Sequence, residues 1–194
     1  MRIAVDPKTD ALIVVDVQQD FCPGGALAVP GGDQVVPPIN RLLARFDWFA
    51  VATRDWHPPD HCSFKAQGGI WPAHCVAGTD GAAFHPGLET SRIHHVASKA
   101  VTKESEAYSG FQGTELARVL ESRGIRRVFV CGLATDYCVK ATALDARRNG
   151  LDVIVLTDAI RGVEVHSGDC ATGLEEMKAA GILLQECEEL QAKE

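Results

Sequence analysis

The chain has 194 residues and carries a net charge of −7, because 26 acidic side chains outnumber 19 basic ones. Proteins that bind nucleic acids or membrane surfaces concentrate positive charge, so this balance argues against both classes. Hydrophobic residues make up 46% of the chain, which is enough for one globular domain with a buried core over residues 1–194.

Apolar runs rich in β-branched residues alternate with helical patterns. In chain order, the patterns predict a strand at 11–17, a helix at 35–46, a strand at 48–55, a short strand at 94–99, a helix at 114–124, a strand at 126–132, a helix at 136–149, a strand at 151–159 and a helix at 166–180 that leads into an apolar run at 182–186. Nearly continuously apolar strands that alternate with helices are typical of a parallel sheet covered on both faces. We predict a three-layer α/β/α fold with a mainly parallel central sheet.

The cysteines favour a reducing compartment. The chain has seven, an odd number, without a C-x-x-C pair, so a disulfide framework is not expected. The N-terminal residues show no signal-peptide pattern, and the first apolar run is too short to span a bilayer. We predict a cytoplasmic protein that does not bind a membrane.

Reactive side chains follow several of the predicted strands. Asp16 lies at the end of the first strand, Asp55 ends the second, Lys99 ends the short third, and a turn leads from the fourth to Cys138. Ligands of parallel sheets bind beyond the carboxyl ends of the strands. An acid, a cation and a thiol at neighbouring strand ends would form an activated nucleophile.

Cys138 stands where the helix at 136–149 should begin. The helix dipole lowers the pKa of a thiol there, and the turn offers backbone N–H groups for an oxyanion hole. A buried filler is the alternative, because cysteine is among the most buried residue types. For Asp16 the alternative is a turn cap, and for Lys99 an ordinary surface lysine.

The irregular segment 56–94 is too long for a simple connection, which points to a functional loop. Asp55 and His57 lie two residues apart, and His74 or His61 could complete a set of one carboxylate and two imidazoles. Such a set suits one divalent ion, Zn²⁺, Fe²⁺ or Mn²⁺. The alternative is that these histidines only donate surface hydrogen bonds.

Three aromatic residues are candidate walls for a flat ligand, namely Phe21, Trp71 and Tyr108. Taken singly, each is better explained by ordinary core packing.

Five segments between residues 11 and 159 occur in a familiar order: VVDVQQDFCPGGALAVPGG, TRDWHPPDHCSF, WPAHCV, SKAVTKESEAYSGFQGT and GLATDYCVKATALDA. Together they resemble the nicotinamidase/pyrazinamidase family of isochorismatase-like cysteine hydrolases. The resemblance implies hydrolysis of the carboxamide of nicotinamide, and of pyrazinamide, to the acid and ammonia. The implied partner is a small molecule, and the sequence leaves open whether the chain forms a homo-oligomer.

The resemblance also implies roles for the residues of the turn and the strand ends. Cys138 would be the nucleophile, Asp16 the general base, and Lys99 the cation that pairs with Asp16. The N–H groups of Ala134 and Cys138 would form the oxyanion hole, and the Leu133–Ala134 peptide would be cis. Lys103 is a rival for the role of Lys99.

The metal set implied by the resemblance is Asp55, His57 and His74, with the ion holding the pyridine nitrogen. His61 could add a direct ligand, and Ser63 a contact through water. The implied substrate-binding residues are Phe21, Trp71, Tyr108, Leu133 and Ala134.

Three other interpretations compete with this one. The first is an isochorismatase-like amidase acting on carbamoyl or ureido compounds, although such relatives generally lack the D-x-H and WPxHC segments. The second is a catalytically inactive binding protein on the same fold, which the competent residue at each catalytic position disfavours. The third is a structural zinc protein, which would need four protein ligands.

Overall fold

The computed structural model describes residues 2–193. In chain order, its strands and helices are β1 (Ile3–Val5), β2 (Asp10–Val15), α1 (Val36–Arg45), β3 (Phe49–Asp55), β4 (His95–Lys99), α2 (Leu116–Ser122), β5 (Arg127–Leu133), α3 (Lys140–Arg148), β6 (Asp152–Arg161), α4 (Asp169–Ala179), β7 (Leu183–Gln185) and β8 (Leu190–Ala192). Strands β4-β3-β2-β5-β6-β7 pair in that order as a parallel sheet, and β1 pairs with β8 in a separate parallel ribbon.

The central strand β2 is buried along its whole length because both faces of the sheet are covered. Leu12 and Val14 point into a core shared with α1 and the β1–β8 ribbon. Their neighbour Ile13 points into a second core, which α2, α3 and α4 cover. Alternate side chains of one strand therefore enter two different cores, which gives the three-layer α/β/α architecture.

The strand order reverses direction beside β2. Strands β3 and β4 lie on one side of β2, whereas β5, β6 and β7 lie on the other. In open parallel sheets this reversal opens a crevice at the carboxyl ends of the two strands that flank it. Here those strands are β2, which leads into Asp16, and β5, which leads into the turn that contains Cys138.

The predicted fold class is confirmed, and the predicted elements differ from the observed ones mainly at their ends. Strand β2 ends at Val15 because Asp16 takes a positive φ of 46°, which an extended strand cannot continue. The predicted helix at 136–149 begins instead as a π-helical turn, Thr135–Val139, before α3. The short strands β1 and β8 were not predicted.

Candidate active site

Four neighbouring strands bring the predicted reactive residues to one edge of the sheet. Asp55 and Lys99 are register partners, the last residues of β3 and β4. Asp16 follows β2, and the π-helical turn after β5 carries Cys138. All four side chains are buried. Residues between 39 and 122 positions apart in the sequence therefore share one site, as the parallel sheet predicts.

The ammonium group of Lys99 lies at the centre of this cluster. Its Nζ lies 2.9 Å from Oδ2 of Asp16, contacts Oδ1 of Asp55, and lies 3.3 Å from the carbonyl oxygen of Ala107. It also lies 3.6 Å from Sγ of Cys138. Burial alone would lower the pKa of Lys99, but the charges of Asp16 and Asp55 outweigh it and hold this pKa well above its ordinary value. Lys99 is therefore a permanent cation.

Lys103, the rival to Lys99, lies elsewhere. It pairs with Asp60 at 2.8 Å on the surface, where both side chains are about half exposed. Only Lys99 of the two reaches the reactive cluster.

Asp16 is the candidate proton acceptor for the Cys138 thiol, and the two side chains bring donor atoms within 4.8 Å of each other. Its Oδ1 accepts a hydrogen bond from the Thr53 hydroxyl at 2.7 Å, which leaves Oδ2 facing Lys99. Burial raises the pKa of Asp16, and the nearby charge of Asp55 raises it further, while Lys99 opposes both. A carboxylate with a raised pKa is a stronger base, which would suit the general-base role that the resemblance implies for Asp16.

The predicted lowering of the Cys138 pKa is wrong. Burial raises the pKa of Cys138 well above its ordinary value; Lys99 lowers it, but the charges of Asp16 and Asp55 and a hydrogen bond with Asp16 raise it further. The turn was expected to act as an exposed helix end, whereas the sulfur lies in a buried π-helical turn between two carboxylates. Burial and the two carboxylates therefore favour the thiol of Cys138 over the thiolate, while Lys99 opposes them.

Asp55, His57 and His74 form a second cluster directly beside the first. Nε2 of His57 lies 3.5 Å from Oδ2 of Asp55, and Nε2 of His74 lies 3.9 Å from the same oxygen. One donor atom from each residue lies within 4.8 Å of the others. The Nδ1 atoms bond outward to backbone carbonyl oxygens, those of Ala100 at 3.2 Å and Pro72 at 2.8 Å.

This cluster fits a divalent metal ion. Because each Nδ1 donates its proton to a carbonyl, both imidazoles present a lone pair on Nε2 toward Asp55. The Nε2 atom of His57 is buried and has no hydrogen-bond partner among the described residues, which is costly unless a ligand satisfies it. One carboxylate and two neutral imidazoles, with coordination positions left open, suit Zn²⁺, Fe²⁺ or Mn²⁺.

Asp16, Asp55 and Cys138 also bring donor atoms within 4.8 Å of one another. Lys99 already contacts all three of these side chains. The ammonium group occupies the position a cation would take, so this second set is not a metal site.

His61 is buried beside the metal cluster but does not present a free nitrogen to it. Its ring stacks on His57, with centroids 4.2 Å apart. Its Nδ1 accepts from the Ser63 hydroxyl at 2.8 Å, and its Nε2 lies 3.1 Å from the carbonyl oxygen of Ser105. His61 and Ser63 therefore pack against the metal cluster and join the loops around it.

A narrow cavity opens onto both clusters. Its cavity volume is about 30 Å³, and its lining includes Phe21, Leu27, Asp55, Trp71, His74, Tyr108, Ala134, Tyr137, Cys138 and Val163. The indole N–H of Trp71 donates to the Tyr108 hydroxyl at 3.1 Å, and the ring of Trp71 packs edge-on against Tyr137. The aromatic walls therefore brace one another around a slot suited to a flat ring.

Three lining residues, Leu27, Tyr137 and Val163, were not predicted. Tyr137 could have been found, because it directly precedes Cys138 in the turn. Leu27 and Val163 come from loops whose positions no local pattern reveals. Leu133 is fully buried behind the cavity, and the Leu133–Ala134 peptide is cis, as the resemblance implies.

A larger hollow at the opposite edge of the sheet lacks this chemistry. It lies between the amino ends of β5 and β6, beside Glu121, Arg126 and Asn149. Its lining contains no cysteine, serine or histidine, so the smaller cavity is the candidate active site.

Comparisons with known proteins show which family the chain belongs to. Residues 10–189 match the isochorismatase domain family. A nicotinamidase/pyrazinamidase of Mycobacterium tuberculosis is 47% identical over 184 residues, which cover 90% of this chain and 97% of that protein. Among the described residues, no helix is long and apolar enough to cross a bilayer.

Two solved structures are similar over nearly their full length. PnC1 of L. infantum in complex with nicotinate is 43% identical and superposes with a TM-score of 0.96, covering 100% of both chains. Pyrazinamidase of Pyrococcus horikoshii in complex with zinc is 49% identical, with a TM-score of 0.86, and the match covers 91% of this chain and 98% of that one. The chain belongs to the nicotinamidase/pyrazinamidase family of isochorismatase-like hydrolases.

Proposed function

We propose that this protein hydrolyses nicotinamide to nicotinic acid and ammonia, and accepts pyrazinamide in the same way, through a thioester on Cys138. The observation that carries the proposal is the position of Lys99, whose Nζ contacts Asp16, Asp55 and Cys138 at the base of an aromatic cavity. This arrangement couples a base to a nucleophile and joins both to the metal cluster through Asp55.

In the first half of the reaction, the Cys138 sulfur attacks the carboxamide carbon while its proton moves to Asp16. The N–H groups of Ala134 and Cys138 hold the negative oxygen of the tetrahedral intermediate. Asp16 then passes its proton to the leaving nitrogen, so ammonia departs and a thioester remains. The fixed charge of Lys99 stabilises the negative charge as it moves between Asp16 and the sulfur.

In the second half, Asp16 takes a proton from water, which attacks the thioester carbon. Collapse of the second tetrahedral intermediate releases nicotinic acid and returns the thiol to Cys138. Asp16 therefore acts as base and acid in turn, and no second titrating residue is needed.

The ring would lie between Phe21, Trp71 and Tyr108, with its nitrogen directed at the metal cluster. Asp55, His57 and His74 would hold the metal ion, and a bound ion supplies a Lewis acid that binds the ring nitrogen and orients the ring. Pyrazinamide carries a ring nitrogen in the same position relative to its carboxamide, which is why we include it as a substrate.

Removing the metal is expected to lower ammonia release from nicotinamide by roughly 100-fold, because a substrate displaced by about 1 Å loses that much rate. The assay compares protein as isolated, after chelation, and with Zn²⁺, Fe²⁺ or Mn²⁺ restored. His74→Ala should behave as chelated protein at every metal. The matched control is His95→Ala, because His95 begins β4 at the end opposite to Lys99.

Either of two results would overturn the proposal. Full activity after chelation would show that the hydrolysis does not need a metal ion. Release of ammonia from a carbamoyl or ureido compound, with none from nicotinamide, would assign the same Asp–Lys–Cys cluster to the rival amidase reaction.

Asp136 is expected to affect how tightly the cavity binds nicotinamide, because it holds the loop that carries the lining residue Val163. Its buried carboxylate accepts the backbone N–H of Val163 at 3.0 Å and that of Glu164 at 2.8 Å, which holds this loop against the nucleophile turn. Asp136→Ala should therefore raise KM for nicotinamide more than it lowers kcat. It should also reduce the free energy of unfolding by about 1.5–3 kcal/mol, the range for hydrogen bonds to a charged group.

Steady-state kinetics and urea unfolding test this prediction. Asp136→Asn, which keeps one acceptor oxygen, should recover part of the KM. If Asp136→Ala lowered kcat and left KM unchanged, the role given to Val163 would be contradicted.

A further inference from the structure

Asp55 serves both halves of the site. Its Oδ1 contacts the Lys99 ammonium, and its Oδ2 faces Nε2 of His57 and of His74. A rotation or shift of this one residue would therefore change the ion pair and the metal cluster together. Its backbone lies at the very end of β3, where support from the neighbouring strand β2 has already ended.

Strand β2 turns away before it reaches Asp55. The paired register of β2 and β3 ends at Val14 opposite Ala52. Asp16 contributes one more bond, from its N–H to the carbonyl of Thr53 at 3.2 Å, and its positive φ then redirects the chain. The N–H and C=O groups of Asp55 thus face a position that has no strand backbone.

The side chain of Gln18 fills that position. Its Oε1 accepts the N–H of Asp55 at 2.8 Å, and its Nε2 donates to the carbonyl of Asp55 at 2.8 Å. The second Nε2 hydrogen is donated to the carbonyl of Ala82 at 2.9 Å. The side chain is 0% exposed. One amide therefore pairs with the Asp55 backbone as a neighbouring strand would, and ties it to the loop around Ala82.

Few side chains could replace this amide. Asparagine is one methylene shorter, and glutamate cannot donate to two carbonyl oxygens. An apolar side chain of the same length would leave three buried backbone groups without these hydrogen bonds, which destabilises the folded chain. The backbone of Asp55 needs a donor and an acceptor at a fixed separation, and the Gln18 amide supplies both. This indicates that Gln18 holds Asp55 in place and does more than fill space.

We propose that Gln18 is a positioning residue that clamps the peptide of Asp55, so that its carboxylate is presented to the metal ion and to Lys99 at once. The inference rests on the proposed function, in which Asp55 is a metal ligand. Gln18 itself bonds only to the backbone of Asp55 and Ala82 through its amide. Groups that orient a metal ligand typically change metal affinity by about 10- to 100-fold when they are removed.

The test measures metal binding directly, apart from catalysis. Apo protein is titrated with Co²⁺ against a competing chelator, and the visible absorption spectrum of the bound Co²⁺ reports the geometry of its ligands. Gln18→Met is expected to weaken Co²⁺ binding by about 10- to 100-fold and to alter the spectrum. Gln18→Glu, which keeps the acceptor for the Asp55 N–H, should fall between wild type and Gln18→Met.

Asn40→Ala is the matched control. The Asn40 amide makes the same kind of two-point bridge to backbone, donating to the carbonyl of Gly87 at 2.7 Å and accepting the N–H of Glu89 at 2.9 Å. Its loss should lower stability to urea while leaving the Co²⁺ affinity and spectrum unchanged. A purely structural role for Gln18 would give the same result as this control.

The possible outcomes distinguish failure of the role given to Gln18 from failure of the proposed metal site. Gln18→Met that binds Co²⁺ with wild-type affinity and spectrum overturns the inference alone. Wild type that binds no Co²⁺ overturns the metal site and the inference with it. If Gln18→Met does not fold, the same comparison is made with Gln18→Glu, and a wild-type affinity and spectrum there has the same meaning.

Discussion

Cys138→Ala is expected to lower the turnover of nicotinamide by about 10⁴-fold, the scale seen when a covalent nucleophile is removed from a preorganised site. The proposed function makes this buried sulfur the nucleophile, and no other lining residue offers a thiol or an aliphatic hydroxyl. Cys138→Ser should be nearly as inactive. The serine hydroxyl has a much higher pKa than a thiol, and Asp16 would have to remove its proton.

The measurement is ammonia release together with mass spectrometry of the acid-quenched protein. Wild type should carry a nicotinoyl group on Cys138 during turnover, and neither variant should. Cys187→Ala is the control, because Cys187 is also a buried cysteine with a raised pKa but lies beside Asp158, outside the cavity. Cys138→Ala that keeps substantial turnover with metal bound would show that the metal generates the nucleophile.

The strand-end residues could be predicted because a parallel sheet imposes their proximity. Once β2, β3 and β4 were recognised as buried strands, their carboxyl ends had to meet at one edge of the sheet. Asp16, Asp55 and Lys99 follow from that rule alone. Asp55 and Lys99 prove to be register partners, which a sequence pattern cannot specify.

The cavity walls from loops could not be predicted in the same way. Val163 is held at the site because its N–H donates to Asp136, 27 residues away in the chain, and the N–H of Leu27 donates to the carbonyl of Asp20 within its own loop. No sequence pattern distinguishes Gln18 from an ordinary polar residue of a loop. Its role depends on Asp16 turning the chain at positive φ, and no periodicity encodes that turn.

The direction of the Cys138 pKa shift could not be predicted from the sequence, for a different reason. A sequence indicates a helix end near the thiol, which lowers a pKa, but it does not show how deeply the sulfur is buried. With Cys138 only 6% exposed and two carboxylates nearby, burial and negative charge decide the outcome. Electrostatic direction is thus set by three-dimensional surroundings, even where the residues themselves are correctly identified.

Lys99→Met is expected to cost the metal-free protein about 3–5 kcal/mol of unfolding free energy at neutral pH, the range for removing one partner of a buried ion pair. Methionine retains the length and the apolar stem, so packing changes little. Asp16 and Asp55 then face each other without the cation that now contacts both. The variant should also be inactive, because no fixed positive charge would then stabilise the negative charge as it moves between Asp16 and the Cys138 sulfur.

The destabilisation should depend on pH in a definite direction. Burial and Asp55 already raise the pKa of Asp16, and loss of Lys99 removes the charge that lowers it. A group whose folded pKa lies above its unfolded value of 3.8 binds protons more tightly in the folded state. The variant should therefore regain stability as pH falls through the raised pKa of Asp16, and its deficit should be smaller at pH 5 than at pH 8.

Urea unfolding of metal-free wild type and variants across this pH range provides the measurement. Lys103→Met is the control, since Lys103 pairs with Asp60 on the surface, where solvent screens the pair and its loss should have little effect. A Lys99→Met deficit as small as that of Lys103→Met would contradict the role of Lys99 as the cation that holds both carboxylates. A deficit that grows as pH falls would contradict the direction assigned to Asp16, because protonation should relieve the repulsion between the two buried carboxylates.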